Sequence, residues 1–150
     1  MTERVRLTEA NKATCLRFAE ESWNRKNLDI IDELVDPNFV GNFPSPTGPI
    51  HGPEGLKQYY KTYFAGFSDI HFTVDEQVAE GDTVVMRWSV RARHTGDLAG
   101  IPPTNKPISA TGITICDFAN GKMVEWRANW DMLGMLQQLG VVPSLGLAKS

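Results

Sequence analysis

The spacing of apolar residues changes about halfway along the chain. Up to Phe67 they recur every three or four positions, which is the period of amphipathic helices. From Ile70 onward apolar and polar residues alternate, as they do in strands with one buried face. The pattern predicts helices first and a run of consecutive strands afterwards, which is an α+β arrangement.

Residue types that begin and end helices divide the first half. Thr8 is a suitable N-cap for the first helix, Pro37 ends the second, and Pro53 fits the first turn of the third. The sequence therefore predicts helices at residues 8–25, 28–35 and 53–67, with a short strand at 39–43.

Four strands follow, and short turns join the first pair and the last pair. Gly81-Asp82 and Asn120-Gly121 are hairpin signals, whereas a long segment rich in proline and glycine joins the middle strands. A final helix is expected from Asp131 to Gly140. The strands are expected at residues 70–79, 83–95, 108–118 and 122–130. We expect residues 1–150 to form one domain, a curved antiparallel sheet that the N-terminal helices wrap into a cone with an internal pocket.

Alternation assigns the two faces of the sheet. The inward residues of the second strand are Val84, Met86, Trp88, Val90 and Ala92. Those of the last strand are Val124, Trp126, Ala128 and Trp130, opposite Met123. The inward residues of the strand between them are small: Ala110, Gly112, Thr114 and Cys116.

Small residues in the middle of a concave face leave a hollow beneath the larger side chains around it. We therefore expect a mostly apolar pocket, although the tryptophans would alternatively fill the core without leaving space. Its expected lining from the sheet is Trp88, Trp126, Trp130, Met86, Gly112, Thr114 and Ala128. We do not expect all three tyrosines of the third helix, Tyr59, Tyr60 and Tyr63, to face inward. We assign Tyr60 and Tyr63 to the pocket, with plain core packing as the alternative.

Composition narrows the possible partners. A net charge of −3 and a pI near 5.6 argue against nucleic-acid binding. The sequence has neither an apolar run long enough for a membrane span nor a secretory signal in its first 14 residues, so we expect a cytoplasmic protein. Cys15 and Cys116 are expected to be buried free thiols, and no spacing of residues indicates a metal site or a phosphate loop.

Three polar residues are candidates for catalysis, each with a structural alternative. Asp131, at the expected pocket rim, would act as a base or simply cap the final helix. His94 lies at the end of the inward face and would transfer a proton or only satisfy a structural hydrogen bond. Asn42 would donate to a substrate oxygen or form an Asx-turn.

A set of segments resembles a known family. The string HTGDLAGIPPTNKP, followed by GKMVEW and DMLGMLQQLG, is similar to the SnoaL-like polyketide cyclases of the nuclear transport factor two-like superfamily. The resemblance covers about residues 13–142 and implies the same cone-shaped fold. It also implies acid–base chemistry on a carbonyl-rich small molecule, without a metal or organic cofactor.

The resemblance can be carried to individual positions. Aligned on Gly121-Lys122, the family's catalytic aspartate corresponds to Ala128 and its histidine to Thr114. Neither residue transfers a proton at neutral pH. We therefore expect a cofactor-independent cyclase or isomerase that acts on a polyketide-like, carbonyl-rich small molecule by acid–base chemistry and by substrate folding in the apolar pocket. Asp131 is the leading acid–base candidate, with His94 and Asn42 as polar helpers. The alternatives are a small-molecule binding protein, or a hydrolase or hydroxylase of the same superfamily.

The outer face of the sheet suggests self-association. Thr111, Ile113 and Ile115 point outward between rows of charged residues. An apolar stripe on an exposed sheet face is typical of an interface, although long arginine stems would alternatively cover it. The resemblance also implies association through this surface, so we expect a homodimer.

Overall fold

The computed structural model describes residues 2–45 and 47–144 and contains four α-helices and six strands over those residues. The helices are α1 (Glu3–Ala19), α2 (Asp29–Leu34), α3 (Gly52–Gly66) and α4 (Met132–Leu139). The strands are β1 (Val35–Asn42), β2 (Ile50–His51), β3 (Phe67–Glu80), β4 (Thr83–His94), β5 (Pro107–Ala119) and β6 (Lys122–Trp130). The expected α+β class is confirmed.

The strands form one open sheet in the order β2-β1-β6-β5-β4-β3. All neighbours are antiparallel except β1 and β6, which run parallel. The expectation of a wholly antiparallel sheet is therefore wrong for this pair. Among the helices of the described residues, none has the length and apolarity required to cross a bilayer.

The first helix begins earlier than the apolar pattern predicts. Thr2, not Thr8, is its N-cap, because the Thr2 hydroxyl accepts a hydrogen bond from the Val5 N–H (3.2 Å). The Thr8 hydroxyl instead donates to the Arg4 carbonyl (3.0 Å). Beyond Ala19 the same helix continues as a π-helical turn, Glu20–Asn24.

Strand β1 follows α2 directly. Val35 caps α2 in an extended conformation, and Pro37 lies inside β1 instead of in a loop. A proline disfavours helical geometry in the residue before it, which holds Asp36 in the strand. A register shift between Val35 and Val40 accommodates the proline on the β6 side.

A bulge changes the alternation at the start of β6. Phe118 pairs with Met123 and Asp117 with Glu125, so Val124 is an extra residue on the β6 side. Met123 is consequently buried in the core and Val124 is only half-buried. The assignment of Val124 to the inward face and Met123 to the outward face was therefore wrong.

One cross-strand row determines how the concave face packs. In register, Trp88 of β4 lies beside Gly112 of β5, and Gly112 lies beside Trp130 of β6. A Cβ atom on Gly112 would lie 2.6 Å from the Trp130 Cβ and 2.7 Å from the Trp88 Cη2. The Trp88 ring and the Trp130 Cβ therefore flank a strand position that has room for hydrogen only.

We expect Gly112→Ala to destabilise the fold by about 1–3 kcal/mol, because the added methyl group overpacks the row. Chemical denaturation followed by far-UV circular dichroism measures the change. Ser109→Ala, at an exposed position of the same strand, is the control and should change stability by less than about 0.5 kcal/mol. A Gly112→Ala protein as stable as the wild type would contradict the close packing.

Candidate functional site

A cavity of about 100 Å³ lies between the concave face of the sheet and the helices. Strands β3 to β6 supply one wall and helices α1, α3 and α4 supply the other, with Phe43 after β1. The side chains that line it are almost all aromatic or aliphatic. Such a composition is typical of small-molecule sites in which a few polar groups orient the ligand.

Most of the residues assigned to the pocket from sequence meet at this cavity. Those that line it are Met86, Trp88, Thr114, Trp126, Ala128, Trp130, Tyr60 and Tyr63. Gly112 contributes no surface to the lining, but its missing side chain allows Trp88 and Trp130 to take their places. Whether these side chains bind a substrate stays a prediction.

Part of the lining is not predicted by the sequence pattern. Trp23, Phe72, Phe43 and Tyr59 also face the cavity. Trp23 lies in the π-helical turn and stacks on Phe72, with 5.8 Å between ring centroids and 12° between the ring planes. The next residue, Asn24, fixes this arrangement, because its side-chain amide exchanges two hydrogen bonds (2.7 and 2.9 Å) with the Phe72 backbone. The apolar stripe of the first helix was the available signal for Trp23.

All three tyrosines of α3 line the cavity, which corrects the expectation that they do not all face inward. Successive helical residues are about 100° apart, so Tyr59, Tyr60 and Tyr63 fall within one arc of about 100°. Such an arc matches the width of the apolar face of a buried helix. Tyr59 also stacks on Phe43 (4.4 Å between centroids).

Burial keeps the three phenols protonated. It raises the pKa of Tyr60, although a hydrogen bond that the phenol accepts from the Ser22 hydroxyl (3.1 Å) offsets part of the rise. Burial also raises the pKa of Tyr63 and, together with the neighbouring phenols, the pKa of Tyr59. At neutral pH these side chains are therefore hydrogen-bond donors and not bases.

The tryptophans at the cavity differ in how their N–H groups are used. The Trp88 indole N–H donates to the Thr114 hydroxyl (3.0 Å). The indole N–H of Trp130 is buried and has no acceptor among the described residues, and that of Trp126 is directed at the buried Cys116 thiol, a weak acceptor. A buried donor without a partner costs about 1–3 kcal/mol, so these groups, together with the unpartnered His94 Nε2, are exceptional in this core.

Asp131 lies outside the cavity. Trp130 points inward, so the next residue along the extended chain points outward, and Asp131 is exposed. Its carboxylate caps α4 by accepting a hydrogen bond from the Gly134 N–H (2.9 Å). The expectation of a carboxylate at the cavity rim is therefore corrected, and the geometry favours the capping role.

His94 is fully buried but does not line the cavity. Its Nδ1 accepts a hydrogen bond from the Thr104 N–H (3.1 Å) and lies 3.0 Å from the Thr104 hydroxyl. The ring also packs against Phe67, with 5.6 Å between centroids. These contacts attach the long loop between β4 and β5 to the end of β4, which favours the structural role, while the buried Nε2 has no hydrogen-bond partner among the described residues. A catalytic role for His94 stays a prediction.

Asn42 is exposed at the end of β1 and is also absent from the cavity lining. Phe39 and Gly41 occupy the buried positions of this strand, and alternation turns Asn42 outward. Its amide lies 3.5 Å from the Glu125 carboxylate. The three residues proposed for catalysis are therefore not brought together at the cavity.

Within the described residues, the cavity lining contains no carboxylate and no imidazole. Those residues also contain no group of three histidine, cysteine or acidic side chains placed to hold a metal ion. Thr114 and Ala128, however, both line the cavity and are direct cross-strand neighbours.

Comparison with known proteins identifies the family. The model of the SnoaL-like polyketide cyclases matches residues 13–139. This chain belongs to the SnoaL-like polyketide cyclase family. The expected resemblance is confirmed. The chain is 28% identical over 120 residues to nogalonic acid methyl ester cyclase of Streptomyces nogalater, covering 79% of this chain and 90% of that protein.

Solved structures agree with the SnoaL-like fold. A proposed SnoaL-like polyketide cyclase from Jannaschia sp. CCS1 superposes with a TM-score of 0.85 at 25% identity, over 95% of this chain and 100% of that one. AclR from Streptomyces galilaeus, a proposed hydroxylase, superposes with a TM-score of 0.81 at 27% identity, over 92% and 85% of the two chains. The shared architecture thus occurs in proteins assigned different reactions.

The tyrosine cluster predicts a delayed alkaline titration. The unfolded chain releases phenolic protons at about pH 10, whereas the native chain holds them to higher pH because its pKa values are raised. These phenols therefore leave the free energy of unfolding unchanged below about pH 10 and lower it as the pH rises further. The chain has three tyrosines, all in α3, so near-UV phenolate absorbance reports on this cluster.

We expect the phenolate band to grow together with the loss of the circular dichroism signal. The same chain in denaturant should titrate at about pH 10 and serves as the control. Full phenolate absorbance at that pH in a protein that remains folded would show that the phenols are not sequestered.

Proposed function

We propose that this protein is a cofactor-independent cyclase or isomerase that acts on a largely apolar, carbonyl-bearing small molecule in the cavity. The observation that supports the proposal is the aromatic cavity on the concave face of a chain that belongs to a cyclase family. Intramolecular ring closure gains most when an enzyme holds the two reacting carbon atoms close together. Rigid aromatic walls favour such folding of a flexible substrate.

An aldol ring closure moves one proton and forms one carbon–carbon bond. An activated carbon beside a carbonyl loses a proton, the resulting enolate carbon attacks a second carbonyl, and the new alkoxide is protonated. The cavity offers donors for the developing oxygen charge. Its described residues offer no strong base, since Ala128 and Thr114 stand where the resemblance places the acid–base pair. We infer that an already acidic carbon releases its proton to water, and that substrate folding supplies most of the acceleration.

The volume of the cavity limits the size of the group that it holds. A cavity of about 150 Å³ in another protein accommodates benzene, and the present one is about 100 Å³. The reacting ring of a substrate therefore fills it, and any larger part of the molecule lies outside. A cavity of this volume favours compact substrates over the multi-ring skeletons of aromatic polyketides.

A second candidate function is binding without catalysis. The absence of a carboxylate and an imidazole from the described lining favours it. A hydrolase or hydroxylase, as suggested by the similarity to AclR, has less support because the lining, over the residues that the structure describes, offers no carboxylate to activate water.

Incubation with nogalonic acid methyl ester and with a one-ring 1,5-diketone, followed by mass spectrometry and chiral chromatography, tests the proposal. We expect accelerated ring closure of the diketone, and Ala128→Leu should lower it at least tenfold because the larger side chain fills the cavity. Ligand-induced tryptophan fluorescence changes without product would instead assign the protein to binding.

Two variants control this assay. Ala13→Leu makes the same exchange at an exposed position of α1 and should leave turnover unchanged. Asp131→Asn retains a capping side chain outside the cavity and should also leave turnover unchanged. A tenfold loss in Asp131→Asn with a normal melting curve would restore the aspartate as a catalytic candidate.

We also propose that two copies associate through the outer face of the sheet. Ile113 is 48% exposed although it lies beside Arg87 in the sheet register, so arginine stems do not cover it. Ion pairs surround this apolar position, including Arg127 with Asp117 (2.8 Å). A two-fold axis through this face would bury the isoleucines and set charges of both signs against each other.

Ile113→Glu should shift the protein from dimer to monomer, because it places a like charge on both sides of the proposed axis. Multi-angle light scattering at micromolar concentration measures the change. Leu16→Glu on α1 is a matched control, since Leu16 is 47% exposed and lies on a helix. A monomeric wild type would contradict the proposed assembly without affecting the cavity.

A further inference from the structure

The Thr114 hydroxyl is a polar group in the middle of the concave face. In register, Thr114 of β5 lies between Met86 of β4 and Ala128 of β6, and all three residues line the cavity. The side chain of Ala128 is a single methyl group, so this neighbour adds little bulk beside the hydroxyl. The cross-strand row therefore leaves the centre of the sheet open toward the cavity.

The accessible surface of Thr114 faces the cavity. Alternation along β5 turns Ile113 and Ile115 to the outer face and Thr114 to the concave face. Thr114 is 7% exposed, and on the concave side the helices pack against the sheet except where the cavity lies. His94, by contrast, is fully buried and does not line the cavity. A ligand in the cavity therefore contacts the Thr114 side chain.

One hydrogen bond positions this hydroxyl. The Trp88 indole N–H donates to the Thr114 oxygen (3.0 Å), and the Trp88 ring is itself held between the backbone of Gly112 and the ring of Phe72, with 5.0 Å between the two ring centroids. Within the described residues this is the only hydrogen bond of the Thr114 side chain. An N–H group cannot accept, so the hydroxyl proton of Thr114 is free to donate. A hydroxyl that already accepts a hydrogen bond is polarised and donates more strongly.

Charge limits the ligand that this donor meets. Among the described residues the lining contains no lysine, arginine or histidine to compensate an anion, and no carboxylate to compensate a cation. Burying an uncompensated charge is unfavourable. A neutral ligand is thus favoured, and an oxygen that accepts a hydrogen bond is its complementary group.

We propose that the Thr114 hydroxyl is the polar anchor of the cavity, donating a hydrogen bond to the carbonyl oxygen of a neutral ligand, with Trp88 as its positioning residue. The inference rests on the proposed function in taking the cavity as the ligand site. It adds a rule for selection: a ketone binds in preference to an alkene of the same shape, with its oxygen toward β5. If the ketone becomes an enolate, the same hydroxyl stabilises the charge on oxygen without giving up its proton.

Cyclopentanone and methylenecyclopentane form a suitable pair of probes, because they differ mainly in C=O against C=CH₂. Their five-membered rings suit a cavity smaller than the one that holds benzene. Titration with cyclopentanone that carries ¹³C at the carbonyl gives the carbon chemical shift of the bound ketone. A hydrogen bond moves this signal downfield, so we expect the bound ketone to lie downfield of the same ketone dissolved in cyclohexane.

Replacement of Thr114 separates the hydroxyl from the shape of the cavity. Thr114→Val should return the bound carbonyl signal to the cyclohexane value and lower the ratio of ketone to alkene affinity about three- to tenfold. Thr114→Ser retains a hydroxyl and should keep both near the wild-type values. Thr111→Val makes the same exchange at an exposed position of β5 and should change neither.

Trp88→Phe tests the positioning role. The exchange removes the N–H that holds the Thr114 oxygen but leaves the hydroxyl in place. The bound carbonyl signal should therefore lie between those of the wild type and Thr114→Val. A signal equal to that of the wild type would contradict the positioning role of Trp88.

Melting curves establish that each variant is folded, and Thr114→Ala replaces Thr114→Val if the valine variant does not fold. Three outcomes would overturn the inference. They are a bound carbonyl signal at the cyclohexane value in the wild type, an unchanged signal and affinity ratio in a folded variant without the hydroxyl, or no binding of either probe at millimolar concentration. None of these readouts depends on turnover. A protein that binds the ketone through Thr114 but makes no product would contradict the proposed catalysis and leave this inference intact.

Discussion

Close packing across the row formed by Trp88, Gly112 and Trp130 is the constraint on which the concave face depends. Because β5 has a glycine there, the Trp88 ring and the Trp130 Cβ approach its backbone with no side chain between them. The helices then pack over this face and leave a cavity beside it. A larger residue at Gly112 would displace both tryptophans and change the wall of the cavity, so sheet packing and site geometry have one cause.

The cavity lies in a SnoaL-like fold, but Ala128 and Thr114 stand where the resemblance places an acid–base pair. The chain belongs to a cyclase family, yet among the described residues the lining holds neutral donors and no group that takes up a proton readily. Burial strengthens this character, since it raises the pKa of the phenols. Such a site favours oxygen-rich, uncharged ligands and promotes reaction mainly by orientation and by stabilising negative charge on oxygen.

The periodicities predicted the helices, the four long strands and part of the cavity lining, because period depends on local geometry. They did not predict the parallel pairing of β1 with β6, since contacts between distant segments leave no local pattern. A bulge reversed the expected phase of Met123, and one extra residue is invisible to alternation. The alternation that turns Trp130 inward also turns the next residue, Asp131, outward. Asp131 was nevertheless expected at the cavity rim because a carboxylate there would act as a base. His94 faces inward as alternation predicts, but it is the last residue of β4 and lies beyond the part of the strand that lines the cavity.

The parallel contact between β1 and β6 has a consequence for the order of folding. Val35 pairs with Met123, and the intervening chain must all be made before these residues meet. During synthesis β3, β4 and β5 can form their antiparallel ladders in sequence. The backbone groups on the edge of β1 that later contacts β6 remain unpaired until β6 is made. Closing so long a loop slows the final step and prolongs the time for which β1 can pair with another chain. The charge of Asp36 and the missing backbone N–H of Pro37 make β1 a poor template for aggregation before β6 is made.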